Sequence, residues 1–209
     1  MKNKLTLLAL SAVLFISCKE EKNETSNEIV AENSFNGNYK IDAGSSTFNW
    51  VGKKLTGEHS GFIKYLDGGF DVENGKVIAG KFVLDMNSIN VTDLEGDKKL
   101  SLEGHLKGTE KDAEDHFFNV AKYPEAVFNA TGMENNLLVG DLTMKDITNE
   151  VKIPVTVTRD REKCTITSEK FTIDRTKWNV KYASKSVFDD LGDKYINDEI
   201  ELSFTVVSY

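Results

Sequence analysis

The chain has 209 residues, 26 Lys and Arg against 34 Asp and Glu, a formal charge of -8, and 39% hydrophobic residues. A surface this acidic excludes nucleic acid as a partner, because phosphate binding depends on a basic patch, and it works against electrostatic adsorption to anionic lipid. There are two cysteines, Cys18 near the start and Cys164 far along the chain, so no disulfide framework holds the fold.

Residues 1–17 read as a secretory signal. Lys2 and Lys4 precede an apolar run of 12 residues from Leu5 to Ile16, which ends in the small residue Ser17 before Cys18. Roughly 20 apolar residues are needed to span a bilayer as a helix, so a cleaved segment is favoured over a permanent anchor. Leu14-Phe15-Ile16-Ser17-Cys18 resembles a lipobox, which implies that Cys18 is diacylated and becomes the new N-terminus; a plain secretory signal is the alternative. Cleavage would remove Lys2 and Lys4, leaving 24 basic against 34 acidic residues and a formal charge of about -10. Lys19-Glu20-Glu21 resembles a signal that directs lipoproteins to the outer leaflet in some Gram-negative bacteria, so a cell-envelope, outer-membrane location is expected, periplasm-facing or at the cell surface. Residues 18–37 are rich in Glu, Asn, Lys and Ser and read as a flexible tether. Residues 38–209 then form one domain with a sizeable core.

Within that domain, short runs of alternating polarity separated by turn signals predict antiparallel β structure. A first strand is expected over Tyr39–Val51 and a second over Ser60–Glu73, with a tight Asn74-Gly75 turn leading to a third over Lys76–Met86 with Ile78, Phe82, Leu84 and Met86 in phase. Between Thr92 and Tyr123 the period changes. Thr92 and Glu95 have capping-box spacing, predicting a helix over Leu94–Lys107 and a second short helix over Asp112–Phe118. Strands resume at Glu125–Thr131, Leu137–Met144, Val151–Thr158, Lys163–Ile173 and Glu199–Val207. Eight strands joined mostly by short turns pair in order. Closure into a barrel removes exposed edges and leaves room for side chains or one small ligand. The expected fold is all-β: an eight-stranded antiparallel up-and-down barrel with a helical insert between strands 3 and 4.

Gly104-His105-Leu106-Lys107, then His116-Phe117-Phe118-Asn119-Val120-Ala121-Lys122-Tyr123-Pro124-Glu125-Ala126-Val127-Phe128, resembles the signature of the YceI-like family of lipocalin-like proteins. Gly140-Asp141-Leu142-Thr143 and Phe171-Thr172-Ile173-Asp174-Arg175 resemble its later elements, while Gly108-Thr109-Glu110-Lys111 lengthens the usual junction. The resemblance implies a barrel whose apolar interior holds a polyisoprenoid or comparable long-chain amphiphile, such as a quinone tail or its precursor, and no catalytic activity.

Strand phase makes Phe48, Trp50, Phe62, Phe82, Leu84, Met86, Phe128, Leu142, Met144, Ile153, Val155 and Phe204 the inward candidates, although for any one of them plain core is the commoner role of an apolar side chain. Leu102, Leu106, Phe117 and Phe118 are expected over one barrel end, as a gate or a structural plug. Arg175 and Trp178, just after a strand, could meet a polar head group or form a surface ion pair and a packed ring. Three histidines, His59, His105 and His116, show no close ligand pair in sequence, so no metal site is expected. Neither a nucleophile elbow, nor His-Glu-x-x-His, nor a phosphate loop occurs. Hence no cofactor is expected beyond a bound lipid, and Cys164 is expected to be a buried, inert thiol. Partners are the lipid and the membrane that the acyl group enters; monomer and homodimer remain open. The competing reading is a structural or interaction lipoprotein with a filled barrel.

Overall fold

A computed structural model describes residues 34–209; the signal segment, Cys18 and most of the tether lie outside the described residues. The domain is a closed antiparallel barrel with eight wall positions. The first position is a broken strand. Its halves, β1 (Gly37–Lys40) and β2 (Thr47–Lys54), both pair with β3 (Gly57–Glu73). Asp42 interrupts it, accepting hydrogen bonds from the backbone N–H groups of Gly44 at 3.0 Å and Ser45 at 3.2 Å, which stabilises a turn where Tyr39–Val51 was expected to run straight. Next come β4 (Lys76–Val91), β5 (Glu125–Glu134), β6 (Leu137–Met144) and β7 (Ile147–Asp160). The expected strand Lys163–Ile173 is also broken, into β8 (Lys163–Ser168) and β9 (Phe171–Asp174), both paired with β10 (Ile196–Val207). β10 pairs with β2, and β3 with β4, so no barrel edge is left open.

Folding starts before Asn38: Phe35 is buried, and its carbonyl accepts from the Gly75 N–H at 2.9 Å. Tight turns fall where left-handed backbone is tolerated, at Asn74-Gly75 (φ 51° and 74°) and at Lys145-Asp146 (φ 48° and 59°). The single α-helix among the described residues, α1 (Gly96–Lys107), sits between β4 and β5. No capping box forms. Thr92 continues the β3–β4 pairing instead, through its N–H to Ser60 O at 2.9 Å, and Glu95 takes the N-cap position without a side-chain bond. Asp112–Phe118 is a string of turns rather than a second helix.

β4 runs five residues past Met86 because bulges change its phase. Pairing with β3 slips between Phe62 and Lys64, between Tyr65 and Asp67, and between Asp71 and Val72. Each extra residue inverts the faces beyond it. Thus Leu84 and Met86 point inward, and so do Ile89 and Val91; Val77 is fully buried while Ile78, expected in phase, is 47% exposed. The same effect overturns the placement of Phe62. Counting back by twos from Phe70 and Val72 puts it inside, but the slip at Tyr65 gives the inner face to Gly61, Ile63 and Tyr65 and leaves Phe62 half-buried.

One end of the barrel is filled. Tyr39 and Phe70 stack at 5.3 Å, and Ile166, Val206 and Cys164 are fully buried beside them. Burial pushes the Cys164 thiol up to about 11, far above the range in which thiolates react.

Candidate functional site

Above that floor the barrel is hollow. A cavity of about 130 Å³ is lined by 27 residues, almost all apolar. An apolar hole of this size stays dry, and at about 24 cal/mol per Å³ keeping it empty costs about 3 kcal/mol. Protein interiors otherwise pack to crystal density. The lumen is therefore a retained feature of the fold, not slack in its core.

Each wall position contributes through the strand alternation. Phe48 and Trp50 come from β2; Phe82, Leu84 and Met86 from β4; Phe128 from β5; Leu142 and Met144 from β6; Ile153 from β7; and Phe204 from β10. All were inward candidates in the sequence. β10 lines the lumen from Ile196 to Phe204, a run of about 26 Å at about 3.3 Å per residue. The hollow is long and narrow. Its floor is aromatic, with Phe82 lying 6.1 Å from Phe70 and 5.9 Å from Phe128.

The mouth is built by the long connections. Leu106 of α1, Phe117, Phe118 and Arg175 all face the cavity there. Lys145, only 3% exposed, holds the 108–124 segment down: its Nζ donates to Phe117 O at 2.7 Å and to Asp115 O at 3.4 Å, with the Asp115 carboxylate 3.5 Å away. Arg175 is 1% exposed, not a surface ion-pair residue. It donates through Nε to Asn197 O at 3.0 Å, through Nη1 to Val180 O at 2.8 Å and through Nη2 to Ile196 O at 3.1 Å. Asp198 stands 3.8 Å from Nη2. The guanidinium thus ties the strand preceding it to the start of β10 while forming part of the mouth.

Four candidates lie elsewhere. Phe62 is turned away by the bulge. Leu102 is half-buried against the core beneath α1, Val155 is buried without reaching the lumen, and Trp178 packs in the core with its indole N–H donating to Leu142 O at 2.9 Å. Conversely, Ile63, Tyr65, Ile89, Ala126, Leu138, Val151, Phe171, Ile173, Ile200 and Leu202 line the cavity without having been chosen. Val151, Ile200 and Leu202 share a face with chosen neighbours and were legible; Ile63, Tyr65 and Ile89 were hidden by the bulges.

The structure also brings together what the sequence separates. His105 Nε2 lies 2.9 Å from His116 Nδ1, and Tyr182 packs on both rings at 4.7 Å and 4.3 Å. Phe117 meets His105 edge-on at 5.1 Å and carries Arg175 over its face at 6.0 Å. Among the described residues no group of three or more His, Cys, Asp or Glu side chains is placed to hold a metal ion. The pair instead clasps α1, the 108–124 segment and the loop bearing Tyr182 across the mouth.

Burial first, and then the nearby His116, push the His105 pKa below its usual 6.5, against a small upward pull from Glu110. The neutral form is therefore favoured in the fold. The resulting stability is complete above about pH 6.5 and is lost as the pH falls below that value, because the unfolded chain then binds the extra proton. Thermal melts between about pH 8 and pH 5 will show the midpoint falling below about pH 6.5, and the difference between wild type and His105→Gln will shrink over the same range. A constant difference across that range would show that His105 does not contribute to the pH dependence.

A family model of the YceI-like domain matches residues 39–208. Several solved structures share the fold, and two of them align well. The crystal structure of Burkholderia cenocepacia BcnA aligns at a TM-score of 0.62 and 22% identity, covering 81% of this chain and 99% of that one. A polyisoprenoid binding domain from Saccharophagus degradans implicated in plant cell wall breakdown aligns at 0.58 and 14% identity, covering 81% and 96%. No curated protein matches. With the match spanning nearly the whole described barrel, the chain belongs to the YceI-like family.

Proposed function

We propose that the barrel binds one long-chain lipid, a polyisoprenoid, along its lumen without acting on it chemically, and that it carries or stores this lipid at a cell-envelope membrane to which an acylated Cys18 tethers it. The observation that carries this reading is the elongated, almost wholly apolar cavity kept open at a cost of about 3 kcal/mol. A cavity with so few polar groups has little hold on a compact polar solute, whereas each methylene moved from water into it contributes about 0.8 kcal/mol. The likeness to a structure described as a polyisoprenoid binding domain supports the same ligand class. The apolar run before Cys18 and the polar stretch after it support the tether.

The chain-length dependence of binding tests the proposal. Protein stripped of lipid and titrated with isoprenoid alcohols of increasing length will bind more tightly with each added unit, by several-fold per unit, until the lumen is full. An affinity independent of length would mean that the chain is not buried. The barrel would then be a filled scaffold for some other interaction.

A further inference from the structure

Leu55, Val187 and Phe188 are 59%, 42% and 48% exposed, and the fold gathers them at the mouth. Leu55 follows Lys54, which pairs with Ile196 at the start of β10. On the other side of Ile196 stands Ser184, whose carbonyl accepts from the Val187 and Phe188 N–H groups at 3.3 Å and 3.0 Å. Ile196 itself lines the lumen, and Tyr182 of the same loop packs on the His105 and His116 rings. The three side chains therefore flank the opening. Single apolar residues on a surface are ordinary, but a group of them in one place marks a contact.

Charge and chain length both point to a lipid surface as the partner. Around the patch the exposed charges balance, with Lys54, Lys181, Lys185 and Lys194 against Glu58, Asp189, Asp190 and Asp193, in a chain of formal charge -8. The repulsion that the acidic body meets at an anionic bilayer is thus absent at this end, and that charge turns the mouth toward the bilayer. The chain outside the barrel is also long enough. It joins the wall at the floor, where Asn36 Oδ1 accepts from the Asn74 N–H at 2.7 Å. Between that end and the mouth runs β3, whose 17 residues cover about 53 Å, and less along the axis because barrel strands tilt. The 17 residues from Cys18 to Ser34 reach about 58 Å at full extension.

Resting on the readings of Cys18 as an acyl anchor and of the lumen as a lipid site, we propose that the barrel docks mouth-first on the bilayer that holds its anchor. Leu55, Val187 and Phe188 enter the interface between head groups and acyl chains, and Lys54, Lys181, Lys185 and Lys194 stay level with the head groups. A chain passing between lumen and bilayer in this pose does not cross water, which would otherwise have to solvate each of its methylenes.

Tryptophan reporters in the full protein, as its host processes it, read the orientation on phosphatidylcholine vesicles with acyl chains brominated near the head group. Bromine quenches an indole only at contact. Wild type, whose Trp50 and Trp178 are both buried, supplies the background. The emission added by Phe188→Trp, and independently by Leu55→Trp, will be quenched on brominated vesicles relative to unbrominated ones. The emission added by Tyr209→Trp will not change, since Tyr209 is exposed at the floor beside Lys40. Val187→Asp introduced beside Leu55→Trp will abolish the quenching, because a carboxylate resists entry into the interface. Flotation of the same vesicles reports the tether separately.

Equal quenching at positions 188 and 209, or none at 188 and 55 in protein that floats with the vesicles, would overturn the docking and leave the tether standing. Protein that does not float would overturn both. A dimer in detergent that Val187→Asp splits would assign the patch to a second copy of the chain instead. None of these readouts depends on what the lumen holds, so the lipid site can fail in its chain-length titration independently of the docking.

Discussion

In the Gly52→Phe protein, affinity for a long-chain isoprenoid falls by more than about 100-fold while the barrel remains folded. Gly52 lines the lumen on β2, and a Cβ built there meets nothing within 4 Å. The added ring therefore enters open space and not the wall. It occupies length that about four methylenes of ligand would otherwise fill, a loss of about 3 kcal/mol at about 0.8 kcal/mol each. The protein itself gains, since glycine is a poor strand residue and part of the cavity disappears. A higher melting temperature together with lost binding is the expected signature. A variant that binds as well as wild type would show that the ligand runs elsewhere.

Arg175→Met is expected to act in the opposite sense, lowering stability by about 3 kcal/mol or more. The substitution leaves the carbonyls of Val180, Ile196 and Asn197 without their donor and the Asp198 carboxylate without its cation. Removing one member of a buried charged network typically costs about 3 to 5 kcal/mol. Lysine will recover only a fraction, because one ammonium cannot reproduce a planar fork directed at three oxygens. Denaturant unfolding monitored by circular dichroism reads the change as a shift in midpoint. A shift below about 1 kcal/mol would mean that the segment from Arg175 to Ile196 is held by other contacts.

Much of the barrel was legible from alternation alone. Phe48 with Trp50, and Leu202 with Phe204, fall on inner faces because regular strands keep a period of two. What escaped were places where one residue breaks that period. The slip at Tyr65 turns Phe62 outward, and the slip near Val72 buries Val77 and exposes Ile78; neither bulge carries a sequence signal as plain as Asn74-Gly75. The helix was found because strand alternation stops after Thr92, but its start was misread, since Thr92 serves the sheet before it can cap anything.

The site was legible in the same proportion. Its wall follows from strand phase. Its mouth does not, because the contacts that close it join residues far apart in sequence: Lys145 with Phe117, Arg175 with Asn197, and His105 with His116 and Tyr182. Arg175 was seen as a candidate, yet nothing local distinguishes a buried guanidinium bound to carbonyls from an exposed ion-pair residue.

The most direct measurement compares lipid extracted from wild-type and Gly52→Phe protein purified side by side from membranes of the native host. Mass spectrometry should find about one equivalent of a single polyisoprenoid class in the wild type and almost none in the plugged variant. Equal amounts in both, or none in the wild type, would contradict a lumen built to hold a lipid.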